Sequence, residues 1–91
     1  MLFMVIEQFR DSDAVYKRFA ERGRMLPAGV TYVDSWVEPD RERCFQLMTA
    51  ESMTALQEWA KNWNDLVDFQ FIEVIPSRQA AAEAGAGQIE G

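Results

Sequence analysis

The middle of the chain contains two runs in which side-chain character alternates, joined by a polar link. The runs are Thr31 to Val37 and Cys44 to Met48. Because successive side chains of a β-strand point to opposite faces of the sheet, this alternation predicts two paired strands. The link, residues 38–42, is polar and contains Pro39, as is typical of a hairpin loop of about five residues. We therefore expect this hairpin to form the middle of the fold.

The segment before the hairpin predicts a strand followed by a helix. Residues 2–9 are apolar almost throughout, with Glu7 as the exception, which is typical of a central strand covered on both faces. Asp11 or Ser12 can cap a helix whose first turn is acidic. This helix should end before Pro27, which has no backbone N–H to donate.

The segment after the hairpin repeats this pattern in the reverse order. A second helix is predicted from near Ser52, a good N-cap residue, to about Asn64. Leu56, Trp59 and Trp63 recur at helical spacing, so we expect them in the core. Residues 67–75 alternate again and predict the last strand.

The resulting order, β-α-β-β-α-β, predicts an α+β protein of the ferredoxin-like type. Such a subunit has a four-stranded antiparallel sheet with two helices on one face, and the expected strand order is 4-1-3-2. We assign residues 1–76 to this domain. Residues 77–91 form an Ala-rich, Gly-punctuated tail that we expect to be partly helical or disordered.

The apolar content is large for so short a chain. Of the 91 residues, 48% are hydrophobic and 12% are aromatic. A chain of this length buries only roughly 60–65% of its unfolded surface and has little interior in which to place them. We therefore expect part of the apolar surface to lie at a subunit interface, most simply in a homodimer.

Charge and residue usage exclude several classes of function. The net charge of −6 disfavours a nucleic-acid partner, because phosphates would be repelled. The sequence has no histidine and one cysteine, so we expect no metal site, no intramolecular disulfide and a cytoplasmic location. The apolar start of the chain is too short for a signal peptide, and no run is long enough for a membrane helix.

The chain resembles a family of short bacterial proteins of unknown function over roughly residues 1–76. The segments that carry the resemblance are Met1-Leu2-Phe3-Met4-Val5-Ile6-Glu7, Tyr32-Val33-Asp34-Ser35-Trp36, Cys44-Phe45-Gln46-Leu47-Met48 and Trp59…Trp63…Asp65-Leu66-Val67-Asp68-Phe69. The resemblance implies a ferredoxin-like subunit that pairs as a dimeric α+β barrel. Ligand pockets of that superfamily lie between sheet and helices or near the dimer interface.

Members of that superfamily include cofactor-independent monooxygenases, haem-degrading enzymes and small isomerases. Haem-binding members commonly ligate iron through histidine, which this chain lacks. The resemblance therefore implies no cofactor. A shared fold does not by itself identify the function.

The alternation also predicts which residues share a face of the sheet. We expect the more regular apolar set to face the helices: Met4, Ile6, Val33, Val37, Phe45 and Leu47. The opposite face would then carry Phe3, Val5, Glu7, Tyr32, Asp34, Trp36, Cys44, Gln46 and Met48.

On that opposite face, Gln46 would stand between Glu7 and Asp34 and form a polar row. A desolvated carboxylate beside another acid has a raised pKa, so Glu7 or Asp34 could act as an acid or base. Tyr32 and Trp36 would be walls of a ligand site or part of a dimer interface. The alternative is structural, in which the amide ties the carboxylates together or to a partner chain.

Three functions follow from these patterns. The first is a homodimeric module that binds a small molecule or a partner. The second is a cofactor-independent enzyme, similar to a monooxygenase or isomerase, acting on a small aromatic or carbonyl compound with Glu7 or Asp34 as base. The third is a stabilising subunit for another protein. The residues alone do not decide whether the chain is an enzyme.

Overall fold

The chain folds around one sheet, as seen in a computed structural model that describes residues 1–85. The elements are β1 (Leu2–Phe9), α1 (Ser12–Arg22), β2 (Val30–Val37), β3 (Arg43–Ala50), α2 (Met53–Ala60), β4 (Val67–Val74) and α3 (Ser77–Glu83). The predicted order of strands and helices over residues 1–76 is confirmed, and α3 adds a third helix in the tail.

All neighbouring strands pair antiparallel, in the order β2-β3-β1-β4. This is the predicted order read from the other edge, with β1 and β3 in the centre. The α+β class and the four-stranded antiparallel sheet are therefore confirmed.

Side-chain caps fix the starts of the first two helices. The Asp11 carboxylate accepts a hydrogen bond from the backbone N–H of Ala14 at 3.1 Å, and the Ser52 hydroxyl accepts one from Ala55 at 3.1 Å. Gly23 ends α1 with a φ of 65°, a left-handed conformation that glycine adopts at little cost. The second helix ends at Ala60, before the predicted end near Asn64.

The core lies between the sheet and helices α1 and α2. Phe3, Val5, Met48 and Leu56 are each 0% exposed. Trp59 and Trp63, expected in the core, are 3% and 5% exposed and belong to the same cluster as Val15 of α1.

The structure corrects the predicted assignment of the sheet faces. Phe3, Val5, Glu7, Cys44, Gln46 and Met48 are buried on the side that carries the helices. Met4, Ile6, Phe45 and Leu47, predicted to face the helices, are only half-buried and lie on the other side. Alternation shows that a strand has two faces, but when both are largely apolar it does not show which one the helices cover.

A β-bulge makes the second strand change faces. Tyr32 pairs with Met48 and Asp34 pairs with Leu47, so Val33 is an extra residue in β2. Tyr32 therefore shares the helix-covered side with Met48, contrary to the prediction. After the bulge, Asp34 and Trp36 lie on the uncovered side, as predicted, but the bulge separates them from Glu7 and Gln46, with which unbroken alternation had grouped them.

The first part of the tail forms a helix. Helix α3 buries Ala81, which is 1% exposed, so the expectation of a partly helical tail is met over Ser77–Glu83. The rest of the predicted tail, residues 86–91, lies outside the described residues.

Candidate functional site

A cavity of about 190 Å³ lies between the sheet and helices α1 and α2. Its walls are mainly aromatic and come from β1, α1 and the α2 region: Phe9, Tyr16, Phe19, Trp59 and Trp63. Its polar lining consists of Glu7, Arg24, Ser35 and Gln46. We call this space the helix–sheet cavity. Tyr16 and Phe19 remain 41% and 40% exposed on α1, so the cavity has an aromatic boundary toward solvent.

Glu7 is the buried acid of the helix–sheet cavity. Its side chain is 8% exposed, and no hydrogen-bond partner reaches its Oε2 atom from the described part of the chain. Burial raises the pKa of Glu7 from 4.5 to about 7, and the positive charge of Arg24 offsets part of that effect. Near neutral pH this carboxyl group therefore exists in both protonation states.

Arg24 is the cation of the same cavity, and two indoles fix its backbone. The Trp59 and Trp63 N–H groups both donate to the Arg24 carbonyl oxygen, at 2.8 and 3.1 Å. The Arg24 guanidinium carbon lies 3.6 Å from the ring centroid of Tyr32 and 4.9 Å from that of Phe19. These contacts hold the guanidinium through cation–π attraction.

The sequence groups Arg24 with Arg18 and Arg22, a set that could bind an anionic ligand but that favours a solvated helix face. The structure instead places Arg24 in the lining of the cavity. The available signal was the pair of tryptophans, because a buried indole N–H needs an acceptor. That signal indicates a nearby carbonyl but does not identify which residue supplies it. The backbone turn at Met25, whose φ is 59°, was also not evident from its residue type.

Gln46 connects Arg24 to the core and does not bridge two acids. Its Oε1 atom accepts from Arg24 Nε at 3.5 Å, and its Nε2 atom donates to the sulfur of Met48 at 3.2 Å. At 5% exposed, it is a buried amide whose hydrogen bonds orient the cation.

Cys44 lies opposite Glu7 in the register of β1 and β3. Burial is the main cause that raises the pKa of Cys44 to about 12, and the nearby Glu7 adds to it. The thiol therefore stays protonated and behaves as a small apolar residue.

The structure brings together only part of the predicted site. Glu7 and Gln46 line the helix–sheet cavity, and Tyr32 stacks on Arg24 while its hydroxyl pairs with that of Ser35 at 2.8 Å. Asp34 lies on the other side of the sheet and accepts a hydrogen bond from the backbone N–H of Ser35. The predicted row of Glu7, Gln46 and Asp34 therefore does not form. Trp36 also lies on the far side, 54% exposed, and is not a wall of this cavity.

The uncovered side of the sheet is a second feature, which we call the open sheet face. It carries mainly large apolar side chains from all four strands: Met4, Ile6, Trp36, Phe45, Leu47 and Ile72. Of these, Trp36 is 54% and Ile72 is 38% exposed. None of these six side chains belongs to the buried core cluster found within residues 1–85, which lies on the side of α1 and α2.

Metal and membrane features are limited in the described region. Within residues 1–85 there is no group of three or more acidic, cysteine or histidine side chains placed to hold a metal ion. None of the helices in the same range is long and apolar enough to cross a membrane.

Comparison with known proteins identifies the family of the chain. The family model described as Domain of unknown function (DUF3303) matches residues 1–88, so the chain belongs to this family. The match extends beyond residue 76 and includes α3. Neither the curated proteins nor the solved structures that were compared give a match.

Proposed function

We propose that this DUF3303 protein is a homodimeric, ferredoxin-like α+β-barrel module that binds a small ring compound in the helix–sheet cavity. The observation that carries the proposal is the buried Glu7 carboxyl group, whose Oε2 atom has no partner within residues 1–85. A ligand that supplies the missing hydrogen bond would explain the presence of this acid in a mainly aromatic cavity.

The energetic cost of Glu7 supports a role other than stability. Burying an unpaired polar group costs roughly 1–3 kcal/mol, and more when the group is charged. A leucine of similar size would avoid this cost and pack against the same aromatic walls. Functional sites commonly keep residues that lower stability in this way.

The size of the cavity limits the ligand. An apolar cavity of about 150 Å³ accepts benzene, so a cavity of about 190 Å³ can accept one ring with a short substituent. The aromatic side chains around it suit the face or edge of such a ring.

The open sheet face supports dimerisation. A contiguous apolar surface on a small domain is commonly a protein interface, and a two-fold dimer would pair this face with its copy. Stacking two sheets through these faces would give the dimeric α+β barrel.

A second candidate function is catalysis without a cofactor. A carboxyl group with a pKa near 7 is well suited to exchange protons with a substrate at neutral pH, and Glu7 has such a value. Arg24 would stabilise negative charge that develops on a carbonyl oxygen of the substrate. In this version Glu7 is the base, because Asp34 lies on the other side of the sheet.

The test is a thermal-shift screen of small aromatic and carbonyl compounds on the wild type, Glu7→Leu and Glu21→Leu. Glu21 is an exposed acid of α1 and serves as the matched control. We expect Glu7→Leu to raise the melting temperature without ligand and to abolish the shift caused by each hit. Glu21→Leu should change neither property.

Two outcomes would contradict the binding proposal. A hit that stabilises Glu7→Leu as much as the wild type would place the ligand elsewhere. A Glu7→Leu protein that is strongly destabilised would show that the carboxyl group serves the fold. Turnover of a hit by the wild type, with loss of turnover in Glu7→Gln, would favour the enzyme.

A further inference from the structure

We infer that the ligand of the helix–sheet cavity is a monocyclic aromatic carboxylate, held between the Arg24 guanidinium and the Glu7 carboxyl group. This inference rests on the proposed binding function and names its ligand class. It is carried by the unused hydrogen-bonding groups of these two side chains and by the walls around them.

Arg24 has hydrogen-bond donors to spare. A guanidinium has five N–H donors, and the one side-chain hydrogen bond of Arg24 found within residues 1–85 runs from Nε to Gln46. None of the ion pairs in that range includes Arg24. Its Nη groups can therefore make the paired hydrogen bonds by which arginine binds a carboxylate.

The surroundings of Arg24 strengthen such a pair. The guanidinium is stacked near Tyr32 and Phe19, and Gln46 fixes its Nε edge. This restraint lowers the entropy lost when a ligand binds, and the aromatic walls reduce screening by water. An ammonium ligand would instead be repelled by the same cation.

Glu7 complements the carboxylate only when it is protonated. The acid then donates a hydrogen bond from the buried Oε2 atom, which lacks a partner in the described chain. Ionised Glu7 would repel the ligand, so binding takes up a proton when the site begins ionised. Because burial places the pKa of Glu7 at about 7, this proton can be supplied near neutral pH.

The other groups around Glu7 do not titrate in the same range. Arg24 faces it from the segment after α1, Cys44 from β3 and Tyr16 from α1. Burial raises the pKa of both Cys44 and Tyr16, so these groups stay neutral. Phe69 of β4 lies opposite Glu7 in the strand register, and Trp59 of α2 lines the same cavity; neither carries a titratable group. The pH dependence of binding should therefore reflect the protonation of Glu7.

The experiment measures binding of benzoate, benzamide, phenol and benzylamine by calorimetry between about pH 6 and pH 9. Benzoate stays ionised throughout, since carboxyl groups in water titrate near pH ~4. Benzamide is its neutral isostere and serves as the matched control. We expect benzoate to bind most tightly, with its affinity falling about tenfold for each pH unit above the pKa of Glu7. The affinity for benzamide should stay constant.

Two variants separate the roles of the charged groups. Glu7→Gln keeps a donor but cannot titrate, so it should bind benzoate with an affinity that no longer changes with pH. Arg24→Lys keeps the charge but loses the paired donors, so benzoate affinity should fall at least tenfold while benzamide affinity changes less. The pH profile of the wild type is informative even if a variant does not fold.

The possible results test the ligand class and the binding function of the cavity separately. If benzamide or phenol binds as tightly as benzoate, or if the affinity for benzoate rises with pH, the inference of a carboxylate ligand is wrong. The cavity would then still be a binding site, but for another ligand class. Benzylamine as the best ligand would lead to the same conclusion. Failure of all four rings to bind at millimolar concentration would overturn both proposals.

Discussion

At the scale of single residues, the most informative group is Glu7, because its position costs stability. Its pKa is raised from 4.5 to about 7 by burial. Between these two pH values, the folded state therefore still holds the Glu7 proton, whereas the unfolded chain has released it. The contribution of Glu7 to the stability of the fold is therefore largest below pH 4.5 and falls as the pH rises toward 7.

This linkage gives a prediction for the free energy of unfolding. We expect the Glu7 contribution to fall by roughly 3 kcal/mol between about pH 4.5 and pH 7, and to change little above that range. Glu7→Gln should lose this slope. Denaturant melts of both proteins across the range check it, and equal slopes would show that Glu7 is as well solvated in the folded state as in the unfolded chain.

Single residues were also where sequence reasoning was least complete. Glu7 and Gln46 were selected because polar side chains in apolar strands are unexpected, and both line the cavity. Asp34 was grouped with them by unbroken alternation, which the bulge at Val33 interrupts. The sequence favoured a solvated position for Arg24 over an anion-binding one, because its place in the cavity depends on two distant indoles and a turn.

At the scale of elements, the sequence predicts strands and helices well and faces poorly. The first strand, Leu2–Phe9, matches its predicted bounds, and caps at Asp11 and Ser52 mark the helix starts. These signals are local, so they can be read without knowing the partner elements. Which face of the sheet the helices cover depends on the side on which the chain crosses between strands. The residues of a strand do not specify that side directly.

The second helix provides the prediction at this scale. Trp59 is 3% exposed, packs against Phe69 at 5.4 Å between ring centroids, and donates to the Arg24 carbonyl. Trp59→Ala should therefore lower the free energy of unfolding by roughly 3–5 kcal/mol.

Lys61 is the control for this change. It is exposed at the end of the same helix and pairs with Glu58, an exposed ion pair of little net value. Lys61→Ala should stay within about 0.5 kcal/mol of the wild type in urea melts. Similar losses in the two variants would mean that Trp59 does not anchor α2 to the sheet.

At the scale of the whole molecule, the two sides of the sheet have different roles. Helices α1 and α2 cover one side and enclose the cavity, while the other side presents the apolar residues of the open sheet face. The surplus of apolar residues indicated an interface, and this interpretation remains a prediction. Of the two residues that the sequence offered for it, Trp36 lies on the open sheet face, whereas Tyr32 lies on the side of the helices.

The last prediction concerns the oligomeric state. If open sheet faces pair, light scattering at micromolar concentration should give about twice the chain mass of 10.5 kDa. An obligate interface of this kind buries on the order of 2,000 Å² in total. Trp36 is 54% exposed on this face, so Trp36→Glu should place two like charges in the interface and yield a folded monomer. Thr54→Glu, an exposed position on α2, adds the same charge on the other side and should remain dimeric. A wild type with the mass of one chain, or a Trp36→Glu protein that stays dimeric, would show that this face is not the contact between subunits.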